Sequence, residues 1–308
     1  QHKIDLIHSN TAAVLEGAFV AKRLSLPLVW SIHEIILKPR IVCKLTSWIV
    51  SRYSSKVVVD SEAVKSHLEH TDYFGNNPIS VIYNGVDASH FSPNLDTTGL
   101  RREFEIPDNA RIVGMVGRVN AWKGQMDFLE AAEKVMSEMD DVYAVLVGSS
   151  FEGEEWREVE LASRIMDSPF RERILQKGYR DDSREIYNLF DVFVLPSTNP
   201  DPLPTVVLEN MACGNPIVSY RHGGVCEMVE EGVNGFFAHV GDTDDMAEKI
   251  KELLRNPALR HRFGLASRER LLQEFSLESY IENIAAVYDE IINERSQSLS
   301  FSQGGYVH

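Results

Sequence analysis

The chain has 308 residues, a length that predicts two domains, and its 44% hydrophobic and 25% charged content is ordinary for a soluble globular protein with sizeable cores. Its formal net charge of −15 argues against a general nucleic-acid binder. No apolar run approaches the roughly 20 residues needed to span a bilayer, and the three cysteines (Cys43, Cys213, Cys226) lack metal-ligand spacing, so structural thiols in a reducing, cytoplasmic setting are expected.

The N-terminal part reads as alternating strands and helices. Lys3–Asn10 reads as a strand ending in polar residues, residues 11–25 as a helix, and Pro27–His33 as the next strand. A second helix covers roughly 37–53, Lys56–Asp60 is a third strand, and Ser61 can cap a helix through His70, with Glu62 favouring its start. Ser80–Tyr83 is a fourth strand. Such alternation predicts a parallel, doubly wound sheet. The charge is uneven: residues 1–83 hold nine Lys/Arg against seven Asp/Glu, so of the net −15 the remaining residues carry −17. Five basic residues, one acid and Trp48 lie within Glu34–Lys56. That stretch is either a helix lying on a membrane surface or, the blander reading, a solvated helix face with a buried aromatic.

Asn84–Asp87, with Phe91 and Pro93 behind it, marks a linker over about 84–100, and Thr98–Glu105 opens the second domain. The domains expected are residues 1–90 and 91–276. Arg111–Gly117 is a buried strand, and Arg118 and Lys123-Gly124 follow in the next loop. Two cations beside a glycine turn suit a diphosphate, which Arg can bind through paired N–H groups; in isolation the pattern fits surface charge as well. Val142–Val147 is a strand ending in Gly148-Ser149, Glu152–Met166 an acidic, solvated helical stretch, Ile174–Asp182 a strand and loop, and Glu185–Phe190 a short helix.

The chain is organised around Asp191–Val218, DVFVLPSTNPDPLPTVVLENMACGNPIV. Val192–Leu195 suits a buried parallel strand. A loop dense in turn formers follows, then a helix from Val206 to about Cys213, with Thr205 as its cap and Gly214 where it stops. A helix N-terminus at a strand's carboxyl end favours an anion, phosphate above all. The carboxylates nearby, Asp201 and Glu209, would repel phosphate and so suit hydroxyls of ribose or sugar. Pro216–Tyr220 is a strand, and His222–Glu227 opens a helix in which Gly223 and Gly224 admit backbone to a ligand. Gly232–Phe237 turns into a strand. Asp242–Arg255 and Ala258–Gln273 are helices with core stripes, a final helix runs to about Asn293, and Glu294–His308 is expected to be a disordered tail.

The stretch D-P-L-P-T-V-V-L-E-N-M-A-C-G-N-P-I-V resembles the E-x7-E signature of retaining glycosyltransferases of family 4, whose pattern is close to E-P-F-G-L-V-x-L-E-A-M-A-x-G-x-P-V-V. Two positions depart: the first Glu is Asp201, a methylene shorter, and the usual Gly is Pro204, which removes one N–H donor. The Asn84–Pro93 spacing is similar to the family's interdomain segment I-x-N-G-V-D-x-x-x-F-x-P. The resemblance implies the GT-B fold, two Rossmann-like doubly wound domains facing a cleft, with the final helix crossing back to the first. The chain begins with Gln1 and shows no glycine-rich opening, so the first domain is expected to be truncated.

Residue by residue, the resemblance implies that Arg118 and Lys123, beside Gly117, bind pyrophosphate. Leu203, Pro204, Thr205, Val206 and Val207 would border it, Glu209 would hold the ribose, and Asp201 a sugar hydroxyl. Tyr179 and Arg180 fall in the family's nucleobase loop, where they either flank the base or are surface residues. Glu227, in G-G-x-x-E after Gly223 and Gly224, either binds the donor or favours a helix start. His33, at a strand end, would either contact the donor sugar or be a structural histidine, and Asn10 is an acceptor-side candidate.

The implied reaction moves a hexose from a UDP- or GDP-sugar to a sugar, lipid-linked or other hydroxyl acceptor in polysaccharide or glycoconjugate synthesis. No cofactor and no metal are expected: no H-x3-H or H-E-x-x-H pattern is present, and the paired aspartates Asp140-Asp141, Asp181-Asp182 and Asp244-Asp245 each fit a loop or helix start. Peripheral contact with the inner membrane face through residues 34–56 stays open. The alternatives are a sugar-nucleotide epimerase of GT-B architecture, which needs a carboxylate–histidine pair, and a non-catalytic nucleotide-sugar-binding fragment. The lack of G-x-G-x-x-G after a first strand argues against a nicotinamide enzyme.

Overall fold

The computed structural model describes residues 4–36, 39–71, 74–75 and 77–303. The chain divides into two compact units, Gln1–Gly85 with Leu277–His308, and Val86–Ser276. The first begins β1 (Ile7–Ser9), α1 (Glu16–Leu24), β2 (Leu28–Ile32), α2 (Arg40–Tyr53), β3 (Lys56–Val59), α3 (Glu62–Glu69) and β4 (Ile79–Val81). Its sheet is parallel in the order β1-β2-β3-β4. β2 is buried at all five positions, as an apolar run covered on both faces requires. Ser61 caps α3 as expected, its Oγ accepting from Val64 N at 3.2 Å.

Several boundaries differ from expectation, and α1 spans Glu16–Leu24 rather than residues 11–25. β1 and β4 are three-residue strands, shorter than Lys3–Asn10 and shifted from Ser80–Tyr83, because these outer strands are only partly buried. Lys3 and residues 37–38 lie outside the described residues. α2 starts at Arg40 because Pro39 occupies its N-cap in an extended conformation.

The second unit carries α4 (Thr98–Glu103), β5 (Arg111–Val116), α5 (Gln125–Met136), β6 (Val142–Val147), α6 (Trp156–Met166) and β7 (Ile174–Lys177). It continues α7 (Ser183–Leu189), β8 (Val192–Leu195), α8 (Thr205–Ala212), β9 (Ile217–Tyr220), α9 (Val225–Met228), β10 (Gly235–Ala238), α10 (Thr243–Arg255) and α11 (Pro257–Glu274). Its six parallel strands run β10-β9-β8-β5-β6-β7. The order reverses between β5 and β8, which pair only through Val113↔Val192 and Gly114↔Phe193. Their carboxyl ends part there, and a crevice opens at such a switch point. α6 is not simply solvated: it starts at Trp156 and buries Leu161 and Ile165.

α12 (Leu277–Gln303) belongs to the first unit. Its Ile284, Val287 and Ile291 pack on Val29, Val58 and Ile82. Tyr288 Oη lies 2.6 Å from His8 Nδ1, and Lys56 pairs with Glu290 at 3.0 Å. The helix runs ten residues past Asn293, where a tail was expected. Once nucleated, a helix adds one backbone bond per residue and needs no apolar periodicity; Arg295 also ties this turn to Asp5 O at 2.6 Å.

Candidate functional site

After β5 the chain turns through Gly117 and Arg118 to Gly124, the N-cap of α5. Gly124 has φ +82°, and a Cβ there would sit 1.9 Å from Pro196 O, so the turn requires glycine. Asn120 Oδ1 accepts the N–H groups of Trp122 and Lys123 at 3.0 and 2.9 Å, which fixes the Lys123 backbone.

A cavity of about 550 Å³ opens at the carboxyl edge of β5, β6 and β7. Six of the expected residues line it: Gly117, Arg118, Tyr179, Arg180, Val206 and Glu209. Arg118 is exposed, its guanidinium stacked 3.6 Å from the Phe151 ring centre. Glu209 accepts the hydroxyl of fully buried Tyr187 at 2.8 Å. Burial raises the Glu209 carboxyl above the usual range, and the Tyr187 hydrogen bond opposes that shift. Burial, with the Glu209 charge beside it, pushes the Cys213 thiol up to about 12, so this cysteine is an inert structural thiol.

Pro204, not Thr205, is the N-cap of α8, and no side chain caps the helix. Proline's fixed φ suits the approach to a helix start, which leaves Thr205 as the first helical residue. Val207 N–H is already bonded to Pro204 O at 2.9 Å, so it is not a free donor. The N–H groups of Thr205 and Val206 have no partner among the described residues, and a helix start of this kind favours an anion. The side chains of Leu203, Pro204 and Val207 are buried rather than part of the cavity wall.

Lys123 and Asp201 lie outside that wall and engage one another. Lys123 Nζ is 2.8 and 2.9 Å from the two Asp201 oxygens, and Ser197 Oγ donates to Asp201 at 2.8 Å. The Lys123 stem passes 4.0 Å from the point where a Gly117 Cβ would sit, which puts it at the cavity's edge. Gly223 and Gly224 do admit backbone, but it is the chain's own: Cβ atoms there would lie 2.5 Å from Asp201 O and 1.7 Å from Pro202 O. Gly224 N–H in turn donates to Asp201 O at 2.8 Å. Glu227 lies in α9 and does not line the cavity.

Arg180 is held by two carboxylates, Asp182 and Glu103, which raise its already high pKa. It is therefore a neutralised wall and not a spare cation. Tyr179 is 77% exposed, with its N–H bonded to Ser149 Oγ at 2.9 Å. The residues that sequence reasoning missed are Tyr187 and the segment Ser149–Glu152. The second was legible as the carboxyl end of a strand beside the switch point; nothing in the sequence marked Tyr187.

In the first unit, the carboxyl ends of β1, β2 and β3 bring together Asn10, His33 and Asp60. His33 Nδ1 lies 3.1 Å from Asp60 Oδ2 and Nε2 lies 3.3 Å from Asn10 Oδ1; Asp60 is buried. Glu34 accepts the N–H groups of His33 and Ala12 at 3.1 and 3.2 Å. Among the described residues, His239, Asp242 and Asp245 also cluster, but Asp242 is engaged in capping α10 through Asp245 N–H.

Residues 96–270 match the family model for Glycosyl transferases group 1, and residues 1–90 match that for Glycosyltransferase Family 4. The Anabaena protein HepE, solved in complex with UDP, has a TM-score of 0.85 at 27% identity over 93% of this chain and 79% of its own. It has also been solved with UDP-glucose. Sucrose-phosphate synthase from Thermosynechococcus elongatus, at 22% identity, gives a TM-score of 0.80 over 94% of this chain and 74% of its own, and speaks for the fold alone. The fold is GT-B. Spore coat protein SA of Bacillus subtilis is 28% identical over 78% of this chain and 68% of its own length. N-acetyl-alpha-D-glucosaminyl L-malate synthase of Bacillus anthracis is 26% identical over 71% of this chain and 55% of its own. The chain thus spans about half to two thirds of the length of these curated relatives.

Proposed function

The chain belongs to the glycosyl transferases group 1 family, and on that premise we propose that it transfers a hexose from a nucleoside diphosphate sugar to a hydroxyl acceptor, with retention at the anomeric carbon. The observation that carries this reading is the cavity at the carboxyl edge of β5, β6 and β7, beside the switch point. Arg118, the start of α8 and Glu209 all border it. A nucleoside diphosphate asks for those groups: a cation and N–H donors for the phosphates, and a carboxylate for the ribose hydroxyls. UDP is the favoured carrier, since HepE has been solved with UDP and UDP-glucose; GDP is the alternative.

The chemical task is to stabilise the departing diphosphate and an oxocarbenium-like centre. Arg118 and the N–H groups of Thr205 and Val206 meet the developing negative charge, and donors fixed before reaction cost no reorganisation. Lys123 joins them by loosening its hold on Asp201. Glu209, oriented by Tyr187, accepts from the ribose. Asp201 accepts from a sugar hydroxyl, and His33 carries the sugar contact that the family resemblance implies. The acceptor is a sugar, a lipid-linked glycan or another hydroxyl compound, and no metal ion is expected.

The test is calorimetric titration, without metal, with UDP, GDP, ADP and their common sugar conjugates. Binding of one nucleotide family, lost in Glu209→Ala, supports the proposal; no binding to any of them sinks it. The Asp60–His33 contact is the kind of pair an epimerase would use. Donor incubated alone and recovered as an epimerised sugar nucleotide would favour that second reading.

A further inference from the structure

Of the twenty large apolar side chains exposed among the described residues, nine lie between Ile4 and Trp48. Ile41, Leu45 and Trp48 stand 74%, 54% and 49% exposed along one stripe of α2, while its other side buries Ser47, Ile49 and Val50. Phe19, Val20 and Leu24 are exposed on α1, which contacts α2. Tyr53 joins the two helices: Trp48 meets it edge-on at 6.3 Å, and Lys22 Nζ of α1 lies 5.3 Å from its ring centre. Lys22, Arg23, Arg40, Lys44 and Arg52 are exposed on the same pair of helices, against one acid, Glu16.

We propose that the outward face of α1 and α2 is a docking surface for an anionic lipid bilayer. A globular surface rarely leaves so many large apolar groups together without a partner. Here they form shallow stripes interleaved with cations whose stems can lie along them, the arrangement of a helix pair resting in a headgroup layer. The tryptophan suits the boundary between headgroup and hydrocarbon. Charge selects the occupant. A second copy would bring a like-charged face against this one. An anionic surface attracts this face, while residues 84–308 carry −17 in total and are repelled on balance. Attachment is peripheral: among the described residues no helix is long and apolar enough to cross a membrane.

Co-sedimentation of the chain with phosphatidylcholine vesicles, with and without phosphatidylglycerol, tests this. Binding is expected only to the anionic vesicles and is expected to weaken as salt rises. The double variant Arg40→Glu, Arg52→Glu should lower the partition coefficient about 30-fold or more, at about fivefold for each cation removed. Arg40→Lys, Arg52→Lys should retain binding and so controls for folding. Ile41→Ser, Trp48→Ser should weaken it through lost apolar burial. Equal binding to both vesicles, binding to neither, or a charge-reversed variant that binds like the parent overturns the proposal. So does a dimer, seen by sedimentation velocity, that dissociates in Ile41→Ser, Trp48→Ser.

Discussion

In the Val86–Ser276 unit the strand order turns back between β5 and β8, and a cavity of about 550 Å³ lies at the carboxyl edge. In the unit built from Gln1–Gly85 and the last helix, the order β1-β2-β3-β4 runs one way. There the polar strand ends close on one another, as Asn10, His33 and Asp60 do. The same chemistry, polar residues after parallel strands, is held open in one unit and satisfied internally in the other. The difference teaches that topology decides whether such residues wait for a ligand. Among the described residues, Arg118 and the N–H groups of Thr205 and Val206 have no protein acceptor, because the loops beside the switch point stand apart.

The largest expected effect tests that contrast directly. Arg118→Ala should lower turnover about 100-fold or more, since removing one preorganised donor from a developing anion costs about 2.7–4 kcal/mol. Asn10→Ala, in the self-satisfied cluster, should cost much less. Steady-state kinetics of the two variants decides: near-normal turnover in Arg118→Ala ends the assignment. Next, Glu209→Gln should weaken nucleotide binding about 10- to 100-fold, the worth of a hydrogen bond to a charged group. Titration with the nucleotide and with its free base separates this loss from a folding defect, because the free base lacks ribose and should not respond.

Asp201→Asn sharpens the comparison within the second unit, where Lys123 and Asp201 are the self-satisfied pair. Removing the carboxylate frees the ammonium, so affinity for the bare nucleoside diphosphate should rise about tenfold, the scale of one added charge-assisted bond. Transfer should fall at the same time, because a sugar hydroxyl loses its acceptor. Unchanged affinity would mean that Lys123 does not reach the diphosphate.

How far the sequence revealed this follows the same physics. Buried parallel strands show as apolar runs, so Val57–Val59 and Val192–Leu195 were legible, while the three-residue strands β1 and β4 were misplaced because they are only partly covered. The spacing of Asp201 and Glu209 was legible because both sit on one loop and helix. Thr205 was misread as a cap because a polar residue before a helix looks like one, although Pro204 already holds that place. Contacts that join distant segments were not legible. Lys123 meets Asp201, Tyr187 meets Glu209, and Asp60 meets His33 across 78, 22 and 27 residues, with no local pattern to announce them.

The smallest expected effect concerns pH, and it sets the two units against each other. Burial, then the His33 charge nearby, lowers the His8 pKa, and the ring bridges Tyr288 Oη and Ser31 Oγ. The unfolded chain therefore binds a proton at His8 more readily than the folded one. Stability from this group is fully present above the ordinary histidine value of about 6.5 and is lost as pH falls through the lowered one. Glu209 has the opposite sign. Its pKa is raised, so its stabilising share is present below the ordinary value of about 4.3 and is lost as pH rises through the raised one. Thermal melts from pH 5 to 7.5 should show parent stability at the acid end eroded by His8, and His8→Asn should flatten that limb. Glu209→Gln should raise stability toward neutral pH, the opposite change. If His8→Asn keeps the parent's acid limb, another group causes it, and the link between β1 and α12 is not what fails in acid.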